Sequence, residues 1–389
     1  MPRLDRHRII LAKIQPTQGT DAVPAGASNA ILLAGMPKVT PFKATNENRD
    51  LIRSYFGASE QLVGAGYVEM AMSVEFQSGG SGIGASAAPW GPLVRGAGWA
   101  ETLLAAAVTG TAQTGSTSGT IKLAAGASAS NDFYNGMRVG LTGGTGSGQS
   151  ALILDYDGTS KVATVGPAWT VTPDATSTYS IDANAAYAPI SESQEMLSIY
   201  YYRSGVLRKA IDCRGALESI DCGVGKRPLF NFRMLGIDAG VSAAANPAQT
   251  LTGWKVPSVI NDVNTGDILL AGAAYPSRGF TINGGNQVGY TPLLGGESID
   301  ISGREITGRT DLSLTAAQVA SFHSAVRANT LYTFGFVHGT AAGARMSISG
   351  PAVQLLDQEE TETNGRALDG YSMRFLPDLG NDELRIVAM

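Results

Sequence analysis

The sequence predicts an all-β protein: a β-sandwich with two short α-helices, interrupted by a small inserted β domain. Glycine accounts for 49 of the 389 residues, charged residues for 16% and hydrophobic residues for 43%. This composition argues against a charge-rich disordered chain and favours strands joined by tight turns. Segments that alternate with a period of two recur along the chain, whereas helical spacing occurs in two places. A chain of this length suits two or three domains.

The clearest strand is predicted over Tyr67–Phe76. Its apolar side chains fall on one face and its polar ones on the other, which is typical of a strand with one buried face. The run Gly79–Gly84 that follows is too rich in glycine for a strand or a helix and predicts a loop. From residue 97 to 108 the spacing changes, because Trp99, Leu103 and Ala107 recur at helical intervals. We therefore expect a short amphipathic helix there.

The second helix has well-marked ends. Thr315 followed by Gln318 forms the pattern of a capping box, in which each residue satisfies a backbone N–H of the other. Val319, Phe322 and Val326 then make one apolar face, and Asn329 suits the C-terminal cap. The spacing predicts a helix over 316–328.

The middle of the chain predicts an inserted β domain. Residues 109–119 carry no charge and nothing large, which is typical of a flexible or extended spacer. Turn signals then separate short strands, and Phe133, Trp169 and Tyr179 supply bulk for a small core. The predicted strands are Thr120–Ala124, Met137–Leu141, Ser150–Tyr156, Lys161–Val165 and Thr178–Asp182. We divide the chain into 1–108, the inserted domain 109–184, and 185–389.

Strands dominate again after residue 185. Arg203-Ser204-Gly205 separates two strands and is a hairpin signal. The predicted strands are Met196–Tyr202, Val206–Asp212, Leu217–Cys222, Leu229–Leu235, Phe280–Ile282, Ser298–Ile301, Thr310–Leu314, Leu331–His338, Arg345–Ser349, Tyr371–Phe375 and Glu383–Val387. The pattern is that of a β-sandwich split by an insertion.

Several segments, taken in order, resemble a known family. They are Thr17–Pro24 leading into Asn29–Leu32, the strand at 67–76 followed by PWGPLVRGAGW at 89–99, Cys213–Leu217 with Pro228–Phe232, and Gly380–Leu384. Their order is similar to that in the tail tube (major tail) proteins of long-tailed, siphovirus-type bacteriophages. The inserted region resembles a β module appended to many phage structural proteins.

The resemblance implies a structural virion protein that is not an enzyme and needs no cofactor. Hexameric rings of such a subunit stack head to tail into a hollow tail tube, assembled in the host cytoplasm, that conducts genomic DNA into the host. The implied partners are other copies of the chain, a tape-measure protein, and tail terminator and distal tail proteins. DNA would pass through the lumen without sequence-specific contacts, and the inserted domain would project outward.

The resemblance and the loop lengths together suggest where copies meet. We expect contacts from the arm 1–15, the long loop 40–66 and the loop 77–96, since long loops without regular structure are often interaction segments. The candidate contact residues are Arg6, Ile9, Arg49, Arg53, Trp90, Arg95 and Trp99. From its residues alone, the basic arm 1–15 favours a solvated segment, whereas the resemblance favours an arm that docks on a neighbouring copy.

No motif supports catalysis or nucleotide binding. Residues Gly143–Ser150 match the phosphate-binding pattern G-x-x-x-x-G-K-[ST] except that Gln149 replaces the lysine. The segment after it alternates as a strand does, whereas a phosphate loop leads into a helix. A glycine-rich hairpin loop is the better interpretation. The run Glu359–Glu362 is predicted to be a solvated polar loop rather than an acid–base pair.

Metal ligands are also scarce. The histidines are His7, His323 and His338, none at metal-binding spacing from another, and we expect His323 to be half-buried beside the helix face. Cys213 and Cys222 could bond across a hairpin, but in a cytoplasmic protein buried thiols are favoured.

Charge and hydropathy exclude further classes of partner. The formal net charge of −5 gives no general attraction to nucleic acid or an anionic membrane, and no apolar run is long enough for a membrane helix or a signal peptide. The alternative function is a discrete oligomeric tail-tip adhesin or carbohydrate-binding β protein. It would use aromatics such as Tyr200-Tyr201-Tyr202, which core and cross-strand packing also explains.

Overall fold

The computed structural model describes residues 4–389 and is mostly β, with two α-helices in that range. The elements of its first half are β1 (Arg8–Gln15), β2 (Ala30–Ile31), β3 (Lys38–Asn48), β4 (Gln61–Glu75), α1 (Gly91–Gly96), β5 (Trp99–Leu104), β6 (Val108–Thr111), β7 (Thr120–Lys122), β8 (Arg138–Gly143), β9 (Ser150–Asp157), β10 (Val162–Gly166), β11 (Thr178–Ile181), β12 (Asn184–Pro189) and β13 (Met196–Arg203).

The second half continues with strands and one helix. Its elements are β14 (Val206–Gly223), β15 (Leu229–Ala243), β16 (Ile268–Leu270), β17 (Ala273–Tyr275), β18 (Ser277–Asn283), β19 (Asn286–Leu293), β20 (Gly296–Arg304), β21 (Thr307–Leu312), α2 (Ala316–Arg327), β22 (Leu331–His338), β23 (Met346–Thr363), β24 (Arg366–Leu376) and β25 (Arg385–Ala388). The predicted all-β, sandwich-like class is confirmed.

Strand β14 joins the two layers of the body. It pairs with β13 over its first half and with β15 along most of its length, and that layer continues outward to β1 and β2 on one side and to β4 and β3 on the other. Near its end it pairs with β18, which leads through β21 and β24 to β23 and β22. All of these pairings are antiparallel, so apolar side chains on alternate positions turn to one face.

The main hydrophobic core is built from both layers. Met70 and Phe232 come from the first layer, Phe334 and Tyr371 from the second, and all are buried in one cluster. Leu93 of α1 joins the same cluster. Face-to-face burial of this kind is what holds a β-sandwich together.

Residues 108–181 form a second, 6-stranded sheet with the order β6-β11-β8-β9-β10-β7. It has its own hydrophobic cluster, in which Trp169 and Tyr179 are buried and Phe133 is partly buried. The cluster is not confined to this sheet, because Ala186, Val387 and Met389 of the body belong to it. The inserted sheet and the body therefore share part of one core.

Polar contacts also fix the inserted sheet to the body. The Arg385 guanidinium donates to the carbonyl oxygens of Asp132 at 2.5 Å and Phe133 at 3.1 Å. Arg345 donates to the Asp182 carboxylate at 2.5 Å. The hydroxyl of Ser347 donates to the Gly136 carbonyl oxygen. These groups come from β23, β25 and the residue before β23, which lie side by side beneath the inserted sheet.

The first predicted helix is wrong. Residues 99–104 are strand β5, which pairs with β12, and the helix α1 lies earlier, at Gly91–Gly96, inside the predicted loop. Gly98 has a positive φ of 79° just after this helix, and the chain then becomes extended. The predicted spacer 109–119 is also partly wrong, because its first residues belong to β6.

The second helix, α2, is confirmed. The Thr315 side chain accepts from the backbone N–H of Gln318, and the Gln318 side chain accepts from the backbone N–H of Thr315 at 2.8 Å. Phe322 is the buried residue of its apolar face and stacks on Tyr332 with ring centres 5.6 Å apart. Asn329 takes the left-handed conformation, φ 55°, that ends many helices.

Candidate assembly surfaces

Trp90 and Trp99 lie inside the chain's own core. Both are 0% exposed, so neither side chain offers a second copy any surface. Trp90 packs against Tyr187 and Phe230 with ring centres 4.8 and 4.9 Å apart. The two tryptophans are therefore removed from the candidate contact residues. In this stretch, a tryptophan next to glycine belongs to the hydrophobic core and not to an interface with another copy.

Arg95 is engaged within the chain. Its guanidinium forms two hydrogen bonds of 2.6 Å with Glu195, and this pairing raises the Arg95 pKa. Glu101 lies 3.5 Å away on the other side. A bidentate, partly buried pair holds the side chain in place and leaves it little freedom to bind a neighbour.

The predicted arm 1–15 is mostly not an arm. Residues 1–3 lie outside the described part, but Arg8–Gln15 is strand β1, paired with both β13 and β2. Ile9 is 8% exposed and packs in a small cluster, so it is removed from the contact residues. Arg6 is exposed. The alternation that β1 needs was hidden because Ile9–Ala12 is buried on both faces.

Arg49 and Arg53 lie at the end of a long β-ribbon. Strand β4 pairs with β15 only over Tyr67–Glu75, whereas its residues 61–66 pair with β3 alone. The hairpin of residues 42–66, which we name the long ribbon, therefore extends past the sheet edge. At its end Arg49 pairs with Glu60, and the Arg53 guanidinium lies 5.9 Å from the Tyr55 ring centre.

The long ribbon exposes large apolar side chains. Ile52 and Phe56 are fully exposed, and five others are about half exposed or more: Phe42, Leu51, Tyr55, Leu62 and Val63. Single exposed apolar residues are ordinary, whereas a group of this size on one projection is typical of interaction surfaces. A two-stranded ribbon also has little core of its own, so contact with another surface would stabilise it.

A second, shorter ribbon was not foreseen. Strands β19 and β20 pair with each other as a separate 2-stranded sheet. At its tip Leu293 is 70% exposed and Leu294 is fully exposed. The available signal was Leu293-Leu294 directly before Gly295-Gly296, that is, apolar residues placed in a turn where polar ones are usual. We name residues 286–304 the short ribbon.

The two ribbons share a base. The ring of Tyr290 in the short ribbon lies 5.1 Å from that of Tyr67, where the long ribbon leaves the sheet. Ile299 is buried there with Leu235 and Ile237 of β15. Both apolar projections are thus anchored beside the same region of the first layer.

The tyrosine triplet does not form a binding platform. Tyr201 belongs to the main core, and Tyr200 and Tyr202 pack in the small cluster on the other face of the sheet. All three are at most 9% exposed. The Tyr200 hydroxyl donates to the carboxylate of Asp21, which leaves no stacked surface aromatics for a glycan here.

The segment Gly143–Ser150, which resembles a phosphate-binding loop in sequence, is a hairpin connection. Gly143 ends β8 and Ser150 begins β9, so a strand and not a helix follows the loop. Gln149, at the lysine position, hydrogen-bonds to the chain itself, to the Gly146 and Val171 carbonyl oxygens at 3.0 and 2.9 Å. The loop has neither the cation nor the helix N-terminus that phosphate binding uses.

Within residues 4–389 no group of three or more His, Cys, Asp or Glu side chains is placed to hold a metal ion. His323 is exposed, contrary to the half-buried position expected, and lies 3.2 Å from Gln358. His338 is buried between Thr265 and the Ser258 carbonyl oxygen, and burial lowers its pKa. Glu359 belongs to strand β23, not to a loop, and pairs with Arg309 at 2.5 Å.

Both cysteines are free and buried on β14. Burial raises the pKa of each thiol, which makes them inert as nucleophiles. The sequence left open a disulfide or two buried thiols, and the structure has two buried thiols. No helix in residues 4–389 has the length and hydropathy to cross a bilayer.

Among the described residues, the two ribbons thus group exposed large apolar side chains on hairpins that pair with little else. Comparison with protein-family models and with curated proteins gives no match to the chain.

Proposed function

We propose that this chain is a structural virion protein, the tail tube subunit of a long-tailed bacteriophage. In this proposal hexameric rings stack head to tail into a hollow tube in the virion tail, after assembly in the host cytoplasm, and genomic DNA passes through it. Tape-measure, tail terminator and distal tail proteins would be its other partners. The observation that carries the proposal is the long ribbon, an apolar projection from a two-layer β body.

Ring formation and stacking need two different surfaces on one subunit. A ring contact between identical subunits is heterologous, and stacking adds a head-to-tail contact. The long ribbon and the short ribbon expose apolar groups suited to such contacts. Strand β3 adds an edge, since among the described strands it pairs with β4 alone. An edge of that kind can be extended by a neighbour's strand.

The test is assembly of the purified chain, observed by negative-stain electron microscopy. We expect rings or hollow tubes at high protein concentration. The double variant I52S/F56S should stay as small particles, because it removes the two fully exposed apolar groups of the long ribbon without touching the core. V171S is the matched control, since Val171 is 48% exposed on the inserted part and should be irrelevant to stacking.

Two results would contradict the proposal. One is a wild-type chain that forms only discrete oligomers at every concentration, which would favour the tail-tip adhesin and make a glycan array the next measurement. The other is I52S/F56S assembling as well as V171S, which would remove the long ribbon from the contact. Circular dichroism of both variants checks that their folds are unchanged.

A further inference from the structure

A cavity of about 420 Å³ opens between the inserted sheet and the body. Leu152 of β9 forms part of one wall, and Leu269 of β16 and Val337 of β22 form part of the other. Leu152 and Leu269 are nearly fully buried, and together with Val337 they make a small hydrophobic cluster of their own. The volume and the apolar lining are those of a small-molecule site.

Arg138 is the cation of the cavity lining, and within residues 4–389 its ion pair with Asp182 is a long one. Arg138 is 27% exposed, and its nearest carboxylate oxygen, on Asp182, is 3.9 Å away. That carboxylate is already engaged by Arg345 at 2.5 Å. The guanidinium has five N–H donors, and a half-buried cation of this type is normally paired. The long ion pair leaves the guanidinium able to donate to an acceptor that occupies the cavity.

The surrounding charges favour an anion at this place. Burial and the positive charge of Arg345 lower the Arg138 pKa and the Asp182 carboxylate opposes them only in part, so a bound anion would further stabilise the charged guanidinium. The other charged residue of the lining is Asp267, which is exposed to solvent. Solvent and salt screen its charge more than that of a half-buried group.

We propose that the cavity binds a small organic anion, with a carboxylate or similar oxyanion on Arg138 and an apolar body against Leu152, Leu269 and Val337. A planar carboxylate can accept two N–H bonds from one guanidinium, which gives both orientation and strength. Ser150 and Thr340 also line the cavity, and their hydroxyl groups can donate to an oxyanion. This site does not depend on the assembly proposed above.

The probes are 2-naphthoate and the neutral 2-naphthamide, which match in shape and differ in charge. Isothermal titration of the full chain should show one saturable site per chain for 2-naphthoate and weaker binding of 2-naphthamide. R138Q should weaken 2-naphthoate binding about tenfold or more, and leave 2-naphthamide binding unchanged, because the lost interaction is a charge-assisted pair. R327Q is the matched control, since Arg327 is exposed at the end of α2, away from the cavity.

A second variant tests the cavity itself. Ala274 lines it but is exposed, so A274W should fill the space from the rim without disturbing the core, and should abolish binding of both probes. The proposal is overturned if neither probe binds saturably, if R138Q behaves like R327Q, or if A274W binds both probes as the wild type does. Unfolding midpoints of the three variants confirm that each is folded when it is titrated.

Discussion

Trp90 and Trp99 allow the contribution of one buried hydrogen bond to stability to be measured, because the two side chains are similarly buried and only one of them is hydrogen-bonded. Both indoles are 0% exposed and belong to the main core. The Trp90 Nε1–H donates to the Gln77 carbonyl oxygen at 2.6 Å, whereas the Trp99 Nε1 has no partner within residues 4–389. W90F and W99F therefore remove the same atoms from equally buried sites and differ in what happens to the hydrogen bond.

The expected difference follows from these two environments. W90F leaves a buried carbonyl oxygen unpaired, which costs about 1–3 kcal/mol. W99F removes a buried donor that was already unpaired, so a penalty of similar size, about 1–3 kcal/mol, disappears. The loss of ring volume applies to both and cancels to first order. W90F should thus be less stable than W99F by at least about 2 kcal/mol.

Urea unfolding followed by far-UV circular dichroism measures this difference, in the I52S/F56S background so that self-association does not contribute. With a slope of about 3 kcal/mol per molar urea, about 2 kcal/mol separates the two midpoints by roughly 0.7 M. Midpoints that coincide, or a lower midpoint for W99F, would refute the reasoning. The hydrogen bond of the Trp90 indole would then not determine which variant is less stable. The two slopes must agree for the comparison to hold.

Three further predictions concern single groups. Burial lowers the pKa of His338 below its ordinary 6.5, so the folded chain binds fewer protons than the unfolded one. The thermal midpoint should therefore fall as the pH drops below about 6.5. H338N should reduce this dependence of the midpoint on pH, and H323N should keep it. T315A removes the capping box and should cost about 1 kcal/mol in urea unfolding, with a cost near zero arguing against that cap. Burial raises the pKa of the Cys213 and Cys222 thiols, so Ellman's reagent at pH 8 should react with neither until the chain is unfolded, and rapid native reaction would contradict their burial.

Much of the strand pattern followed from sequence, and the failures have identifiable causes. Tyr67–Phe76 was foreseen because one face is buried and the period of two is clean. Strand β14 was predicted as two strands because its register shifts within Val206–Gly223, and Asp212 there has a positive φ of 51°. A bulge moves the buried positions to the other parity, so the period breaks although the strand continues. Similar shifts in β23 hid that Glu359 lies in a strand.

The candidate contact residues show where sequence reasoning stops. Large or charged residues in a glycine-rich stretch suggested an interface, yet Trp90 is a core residue and Arg95 pairs with Glu195. Exposure depends on which strands cover a residue, and those strands are distant in sequence. The long ribbon was found only as a long loop, since Lys38–Asn48 carries few of the apolar residues that mark a strand.

The core shared by the inserted sheet and the body limits how this chain can be engineered. Excising residues 109–183 would uncover Ala186, Val387 and Met389, which the inserted sheet now keeps from water. The inserted part therefore cannot be removed or exchanged without consequence, because a shortened chain would expose a new apolar surface. Foreign peptides are better placed in the turn between Gly143 and Ser150, where the backbone already leaves the sheet and none of the residues is itself fully buried.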